Sequence, residues 1–333
     1  MVIMAGQAAL QVEYVKDRSS AVLLQQPGVL AVFEFGKSPL ESTDPRHVTI
    51  ALPQLDGGTT IEVWRCNGEI ETGTWQTVRF ARNGAMTMAH IALDINDAGD
   101  MRAASHRAYQ EFQRFLRQSP HHCPMKIWNY IPGINEGEGD SESYRQFCIG
   151  RAEALASDPA ERPPMPAATA IGSPREEAAL QVYFLATALP GVNVENPRQL
   201  NAWHYPRRYG PRSPLFSRGT IMQVGAARQF LISGTASVVG HETHHDNVRD
   251  QITESVSNLN SLLQEGQRLL GGQRPRLGDT GVLRVYLRNP SDLADIKQAL
   301  GRIVPDDMPR VYLNGDICRI DLLTEVDGII ACE

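Results

Sequence analysis

Short apolar runs bounded by glycine and proline alternate with longer amphipathic stretches along the chain. Runs rich in β-branched and aromatic residues predict strands, and apolar residues that recur at helical spacing predict helices. In the first half, helices are predicted over residues 97–116 and 142–155. The strands predicted in this half cover residues 29–33, 48–52, 60–64, 86–93 and 125–130.

The second half shows the same order of strand, long helix and strand. Strands are predicted over 230–239 and 282–287, with a helix over 246–263 between them. One face of this helix carries its apolar residues, Val248, Ile252, Val256, Leu259 and Leu263. The repetition indicates a weak internal duplication. It predicts the α+β class, with mixed sheets that helices cover on one face.

The last part of the chain carries two further signals. The sequence Asn289-Pro290-Ser291-Asp292 predicts the start of a helix that runs to Leu300, since serine or aspartate can cap it. Asn314-Gly315 lies between the β-rich stretches 310–313 and 316–330, and this dipeptide predicts a hairpin.

A proline-rich stretch divides the chain. Prolines within residues 156–174 interrupt every periodicity, as in a linker or a long crossing segment. The predicted boundary lies near residue 160. It separates an N-terminal module over residues 1–160 from a C-terminal module over residues 161–333.

Composition narrows the class of protein without indicating a chemistry. The chain has 333 residues, 42% of them hydrophobic and 21% charged, as in a soluble globular protein. This length predicts about two domains. With 32 Lys and Arg residues against 38 Asp and Glu residues, the net charge is −6, which disfavours nucleic acid as a partner.

No stretch predicts export or a membrane span. The first residues lack the basic and apolar regions of a signal peptide. The longest uncharged stretch, 178–194, is interrupted by Gln181, Pro190 and Gly191, so it does not predict a membrane helix. The 5 cysteines are widely spread without a CxxC pair and fit free thiols. A cytoplasmic protein is therefore predicted.

The sequence His241-Glu242-Thr243-His244-His245 matches the H-E-x-x-H pattern of zinc peptidases. In those enzymes both histidines bind the metal from one face of a helix. Here a strand is predicted before the motif, and the best helix cap, Asp246, follows it. The preferred interpretation is a polar loop at a helix N-terminus, and no metal is predicted.

Two features that match no short sequence motif indicate a site for a small anion and a residue for acid catalysis. Residues 205–218 mix arginine and tyrosine in a loop restrained by proline and glycine. Such a loop is either a carboxylate site or a surface loop with solvated arginines. Glu325 lies among apolar residues, where desolvation can keep a carboxyl protonated near neutrality, as a general acid requires. Its other interpretation is a solvent-facing strand position.

At these residues the sequence resembles the chorismatase family, whose members remove pyruvate from chorismate. The resemblance covers nearly the whole chain and is densest in seven segments. These are residues 128–132, 144–151, 166–172, 195–199, 205–218, 233–241 and 315–325. The resemblance implies two α+β modules of the YjgF/RidA type, which agrees with the duplication.

The resemblance also implies a mechanism and a set of site residues. Glu325 is the general acid that protonates the enolpyruvyl methylene of chorismate, and water or an internal hydroxyl captures the resulting oxocarbenium ion. The residues expected to bind the dianionic substrate are Arg151, Tyr205, Arg207, Tyr209 and Arg218. No metal or organic cofactor is implied, and most of the active site is expected in the C-terminal module.

Two positions bear on the product. The resemblance suggests that a cysteine seven residues before the acid marks hydroxybenzoate formers, and Cys318 has this position. The resemblance suggests that 3-hydroxybenzoate specialists carry glycine at the position of Ala236, so Ala236 indicates the hydrolytic or the mixed type. Together, Cys318 and Ala236 most resemble the bifunctional 3-/4-hydroxybenzoate synthases. An odd spacing places Cys318 and Glu325 on opposite faces of a regular strand. Either a bulge intervenes, or Cys318 belongs to the turn after Gly315, or it is a packing residue.

The function predicted from the sequence is conversion of chorismate to 3- or 4-hydroxybenzoate and pyruvate. One alternative is hydrolysis of chorismate to a dihydroxycyclohexadiene carboxylate and pyruvate. Another is a non-catalytic or imine-hydrolysing YjgF-like protein that binds small carboxylates. A zinc peptidase is the least favoured alternative.

Overall fold

The computed structural model describes residues 10–39, 42–155, 165–271, 275, 277, 278 and 280–332. Its strands are β1 (Gln11–Lys16), β2 (Val29–Phe35), β3 (His47–Ile50), β4 (Thr60–Arg65), β5 (Glu71–Trp75), β6 (Val78–Arg82), β7 (Met86–Asp94), β8 (Cys123–Pro132), β9 (Ala167–Ser173), β10 (Ala179–Thr187), β11 (Val192–Val194), β12 (Gly219–Val224), β13 (Ala227–Ala236), β14 (Val238–Val239), β15 (Glu242–Thr243), β16 (Gly281–Leu287), β17 (Arg310–Asn314), β18 (Asp316–Ile317) and β19 (Thr324–Cys332). Its α-helices are α1 (Ser20–Leu24), α2 (Ile95–Ala98), α3 (Met101–Gln118), α4 (Ser143–Leu155), α5 (Val248–Leu269) and α6 (Leu293–Leu300). None of the described helices is long and apolar enough to cross a membrane.

Most of the strands form two large mixed sheets, each covered by helices on one face. The seven-stranded sheet has the order β18-β9-β8-β10-β7-β6-β5, and α3 and α4 pack on it. The six-stranded sheet has the order β11-β12-β13-β19-β16-β17, and α5 and α6 pack on it. A four-stranded sheet, β1-β4-β2-β3, shares the core between the other two. The predicted α+β class is confirmed.

The two long helices form where the apolar periodicity predicts them, with shifted ends. α3 begins at Met101, and the Asp100 carboxylate caps its first turn. α5 begins at Val248, where Asn247 replaces the predicted Asp246 as the capping residue. Each helix buries its apolar stripe against a sheet, which is the main source of helix stability in a protein.

The stretch predicted as a linker, residues 156–174, is partly a strand. Residues 156–164 lie outside the described residues, but Ala167–Ser173 forms β9, parallel to β8 and antiparallel to β18. The linker prediction is wrong for β9. Its small residues have weak strand propensity, but they suit a crowded position, since Gly172 lies directly against Ile134 and Asp316.

The sequence analysis also misses β10, the central strand of the seven-stranded sheet. All nine of its residues are buried, and it pairs with β7 on one side and β8 on the other. A strand buried on both faces lacks the alternation that identifies an amphipathic strand. Both β9 and β10 follow residue 160 and belong to this sheet, and the module boundary stays a prediction.

Asn314-Gly315 does not form a hairpin. β17 pairs in parallel with β16, whereas β18 pairs with β9 in the other large sheet. The hairpin prediction is wrong because the chain changes sheets at this dipeptide. The strand predicted over 316–330 is also interrupted, since residues 318–323 turn between β18 and β19.

Where the sheets face one another, a group of polar side chains is buried among aromatic rings. We call this group the central polar cluster. Its members are Glu62, Lys126, Tyr130, Tyr183, Arg284, Tyr286 and Asp327. Arg284 donates two hydrogen bonds of 2.7 Å to the Glu62 carboxylate and others to the Tyr130 and Tyr183 hydroxyls. Charge pairing within the cluster offsets part of the cost of burial.

Candidate active site

A cavity of about 540 Å³ lies where β8 and β9 of the seven-stranded sheet approach β13 and β19 of the six-stranded sheet. Its volume is in the range of small-molecule binding sites. Residues from α4 and from the loops within 199–218 and 318–322 complete the wall. Both halves of the chain therefore contribute to the cavity.

Glu325, the second residue of β19, is at the cavity. It pairs across the sheet with Ala236 of β13, and only 5% of the residue is exposed. Burial, assisted by the negative charge of Asp327 and opposed by Arg218 and Lys126, raises the pKa of the Glu325 carboxyl to about 8. This carboxyl is therefore protonated at neutral pH.

A glycine leaves the space that this carboxyl occupies. The register between β13 and β19 shifts between Ile232 and Thr235, and Gly234 lies within the shift. A Cβ atom on Gly234 would overlap Oε1 of Glu325. The position of the acid therefore depends on glycine at residue 234.

Cys318 lines the same cavity as Glu325. Residues 318–323 turn between two strands, so the alternation of a regular strand does not apply to this pair. The spacing left three arrangements open, and the structure shows the second: Cys318 lies in the turn after Gly315, directly after β18, and lines the cavity. Burial, followed by the charge of Glu325, raises the pKa of the thiol to about 12, so the thiol is neutral.

Three arginines that line the cavity have unpaired donors. Nε of Arg151, Nε of Arg218 and Nη2 of Arg319 are buried and have no hydrogen-bond partner in the described part of the chain. A buried donor without a partner is costly unless a ligand accepts its hydrogen bond. The three donors therefore favour an anion with more than one acceptor group.

Tyr205 and Tyr209 orient two of these arginines. The guanidinium of Arg319 lies 4.8 Å from the ring centroid of Tyr205 and 3.9 Å from that of Tyr209. Arg218 donates to the Tyr205 hydroxyl and to the Leu200 carbonyl, both at 2.8 Å. Contacts with aromatic faces and fixed acceptors restrict the guanidinium planes before a ligand arrives.

Arg207 does not line the cavity. It is exposed and forms a bidentate ion pair with Asp140, with N–O distances of 3.0 and 2.6 Å. Two arginines that do line the cavity, Arg145 and Arg208, are already paired with Glu142 and Glu242. They are therefore less available to a ligand than the three arginines with unpaired donors.

The structure brings most of the predicted site residues together. Those that line the cavity are Arg151, Tyr205, Tyr209, Arg218, Ala236, Cys318 and Glu325. The sequence analysis misses Arg319, although this residue follows Cys318 directly in a segment that carries the family resemblance. It also misses Asn129, Tyr144 and Thr169, because nothing in their local patterns distinguishes them from core residues.

The H-E-x-x-H motif lies at β15 and in the loop before α5. It is therefore not on a helix, which agrees with the loop predicted from its flanking sequence. The His241 ring contacts Arg208 and Tyr209, whereas His245 pairs with Glu254 at 3.3 Å. Within the described ranges, no three His, Cys, Asp or Glu side chains are grouped so that they could hold a metal ion.

A protonated carboxyl thus shares a cavity of the α+β fold with three arginines that have unpaired donors. Such an arrangement suits acid catalysis on a small molecule with several negative charges. This combination of fold and site is typical of an α+β enzyme that acts on a small anionic molecule. Comparison with known proteins identifies the family.

A family model described as the N-terminal domain of FkbO/Hyg5-like chorismatases matches residues 62–186. A 3-hydroxybenzoate synthase of Streptomyces hygroscopicus is 34% identical over 278 residues, 81% of this chain and 81% of the relative. A chorismatase of Streptomyces rapamycinicus is 34% identical over 279 residues, 81% of this chain and 82% of the relative. A chorismatase crystal structure matches with a TM-score of 0.84 at 30% identity, covering 97% of this chain and 99% of that one. The chain belongs to the chorismatase family.

Proposed function

We propose that the protein converts chorismate to hydroxybenzoate and pyruvate, with Glu325 as the general acid. The observation that carries this proposal is a protonated carboxyl at a cavity where three arginines have unpaired donors. The relatives named chorismatase and 3-hydroxybenzoate synthase support the choice of substrate.

Chorismate is a dianion, so each of its carboxylates needs donors that the protein does not already use. Arg151, Arg218 and Arg319 have such donors, and hydrogen bonds between guanidinium and carboxylate are stronger than neutral ones. Tyr205 and Tyr209 complete the binding surface. With both carboxylates held, the enolpyruvyl group is oriented relative to the acid, and this positioning lowers the activation barrier.

The enolpyruvyl ether reacts once its methylene carbon is protonated. The Glu325 carboxyl supplies this proton, the methylene becomes a methyl group, and an oxocarbenium ion forms. Capture by a ring hydroxyl forms a new C–O bond at the oxocarbenium carbon. One of the two bonds between the ring and the oxygens on this carbon then breaks as a ring proton is lost, the departing oxygen keeps a proton as a hydroxyl, and the resulting hemiketal releases pyruvate and hydroxybenzoate. The ring proton balances the one that Glu325 supplied, so the reaction needs no oxidant and no net water. Capture by water would instead give the dihydrodiol and pyruvate.

For the products, we infer a mixture of 3- and 4-hydroxybenzoate. The pair of Cys318 and Ala236 supports this inference, since both residues line the cavity beside Glu325. The Cys318 thiol is neutral, so it can contact the substrate without adding negative charge beside a dianion.

We assign the activity to the cytoplasm. The five cysteines, all free, support this assignment because free thiols are typical of a reducing compartment. Neither nucleic acid nor a membrane is part of the proposal, and the proton transfer requires neither a metal nor an organic cofactor.

The decisive experiment incubates the protein with chorismate and EDTA, measures pyruvate and separates the aromatic products by chromatography. Pyruvate together with 3- and 4-hydroxybenzoate is the expected result. Pyruvate at the uncatalysed background would overturn the proposal. The dihydrodiol as the sole product would overturn the hydroxybenzoate assignment and leave the cleavage intact.

Glu325→Gln tests the role of the acid, because glutamine keeps the shape of the side chain and removes the transferable proton. A loss of about 100- to 10,000-fold in kcat is expected. Glu34→Gln is the matched control, since Glu34 is also a buried glutamate on a strand but does not line the cavity. Near-normal turnover by Glu325→Gln would mean that another group is the acid.

A further inference from the structure

Two carboxyl groups lie two residues apart on one strand. Glu325 and Asp327 both belong to β19, so their side chains project from the same face of the six-stranded sheet. This face meets the seven-stranded sheet, whose Trp128 and Thr169 contact Asp327. Two neighbouring carboxylates in a buried space repel each other, and one of them is then favoured in its neutral form.

The carboxyl of Asp327 is surrounded by hydrogen-bond donors. Oδ2 accepts hydrogen bonds from Trp128 at 3.1 Å, from Thr169 at 2.7 Å and from Tyr286 at 3.1 Å. The ammonium of Lys126, itself fully buried, lies 3.5 Å from Oδ1. Three neutral donors and one cation therefore stabilise a negative charge at this position.

Glu325 has no comparable set of partners, since no hydrogen bond to its carboxyl occurs among the residues that the structure describes. The groups that influence its charge come from every element packed around it. They are Asp327 on β19, Lys126 on β8, Arg218 before β12, Cys318 after β18 and Tyr144 on α4. Asp327 is the other carboxyl in this set, whereas the Cys318 thiol and the Tyr144 phenol are neutral at neutral pH because burial raises the pKa of each.

We propose that Asp327 is a positioning residue for the acid: its fixed carboxylate, on the same face of β19, holds the Glu325 carboxyl in the protonated form that the reaction consumes. The inference rests on the proposed function of Glu325. Lys126 has the opposite influence, because its cation favours ionised Glu325. It also pairs with Asp327 and limits how far the negative charge acts.

Asp327→Asn tests this inference, because asparagine keeps an acceptor for the three donors and removes the charge. In the parent protein, kcat/KM should fall as pH rises through about 8, the pKa of Glu325, since only the protonated acid reacts. Burial lowers the pKa of Lys126 to about 8, so this residue loses its charge over the same range. In Asp327→Asn this alkaline limb is expected about one pH unit or more lower. The activity should therefore recover towards that of the parent below this limb.

Lys126→Met is the matched control, since it removes the positive charge of the ion pair between Lys126 and Asp327, whereas Asp327→Asn removes the negative charge. Its alkaline limb is expected to shift to higher pH. A merely structural role of the pair would lower kcat in both variants without moving the limb. That result, or a shift of both limbs in the same direction, would overturn the inference.

Infrared difference spectra across a pH titration of the parent protein keep the test decisive if either variant fails to fold. The protonated Glu325 carboxyl gives a band that is identified by its absence in Glu325→Gln. In the parent protein this band should be present at pH 7, and no second band should be assignable to protonated Asp327. A protonated Asp327 beside an ionised Glu325 would overturn the inference. Full activity of Glu325→Gln would instead refute the proposed function, so the two failures are distinguishable.

Discussion

The central polar cluster and the cavity lie between the same sheets, but their buried polar groups differ in whether they have partners within the protein. In the cluster, Arg284 pairs with Glu62 and Lys126 pairs with Asp327, and tyrosine hydroxyls accept further hydrogen bonds. At the cavity, guanidinium donors are buried without partners, and Glu325 is desolvated without a cation in direct contact. The cluster is satisfied by the protein itself, whereas the cavity requires a ligand.

This difference shows how burial alone fails to mark a functional residue. Glu62, Asp327 and Glu325 are all at least 95% buried. Of the three, only Glu325 lacks hydrogen-bond donors at its carboxyl among the described residues, and burial raises its pKa to about 8. The informative property is thus the supply of partners around each carboxyl rather than its depth.

The largest effect is expected from breaking the cluster. Arg284→Met leaves the Glu62 carboxylate buried without its cation, which should lower the free energy of unfolding by about 3–5 kcal/mol. Urea denaturation followed by circular dichroism measures this change. The double variant Arg284→Met/Glu62→Met should be less destabilised than Arg284→Met, because it removes the uncompensated charge. An equal or greater loss in the double variant would contradict this account of the cluster.

The fold was predictable from the sequence where a single element carries its own periodicity. The amphipathic stripes of α3 and α5 are such cases, because each helix has one buried face. β9 and β10 were not predictable in this way. β10 is buried on both faces, and β9 consists of small residues that fit close neighbours. Asn314-Gly315 misleads because a local turn signal does not reveal that the chain changes sheets.

The candidate site was predictable only in part for a related reason. The apolar neighbours of Glu325 indicate desolvation, and the resemblance supplies its role. No local pattern distinguishes Arg319, whose donor is unpaired, from Arg207, whose donors are used by Asp140. That distinction depends on contacts between residues far apart in the chain, and only the tertiary structure shows them.

The second-largest effect is expected from a substitution at Gly234, which lies beside the Glu325 carboxyl. Gly234→Ala should displace the Glu325 carboxyl, because the added methyl group overlaps Oε1. Since a flexible side chain can move, the fold should persist while kcat falls about 100-fold from misplacement of the acid. Gly266→Ala on α5 is the matched control, with only ordinary contacts at 3.4 Å or more and no role at the cavity. Steady-state kinetics and thermal melting distinguish the two variants, and unchanged kcat in Gly234→Ala would contradict the assigned position of the acid.

The smallest effect compares two arginines with different partners. Arg319→Gln removes a cation that lines the cavity and has an unpaired donor, and kcat/KM for chorismate should fall about tenfold or more, mainly through KM. Arg207→Gln removes an exposed arginine already paired with Asp140, so KM should change about twofold or less. Initial rates at several chorismate concentrations measure both. If Arg207→Gln raised KM as much as Arg319→Gln, an unpaired buried donor would not be the property that selects a binding arginine. The exposed loop arginines would then have to reach the substrate.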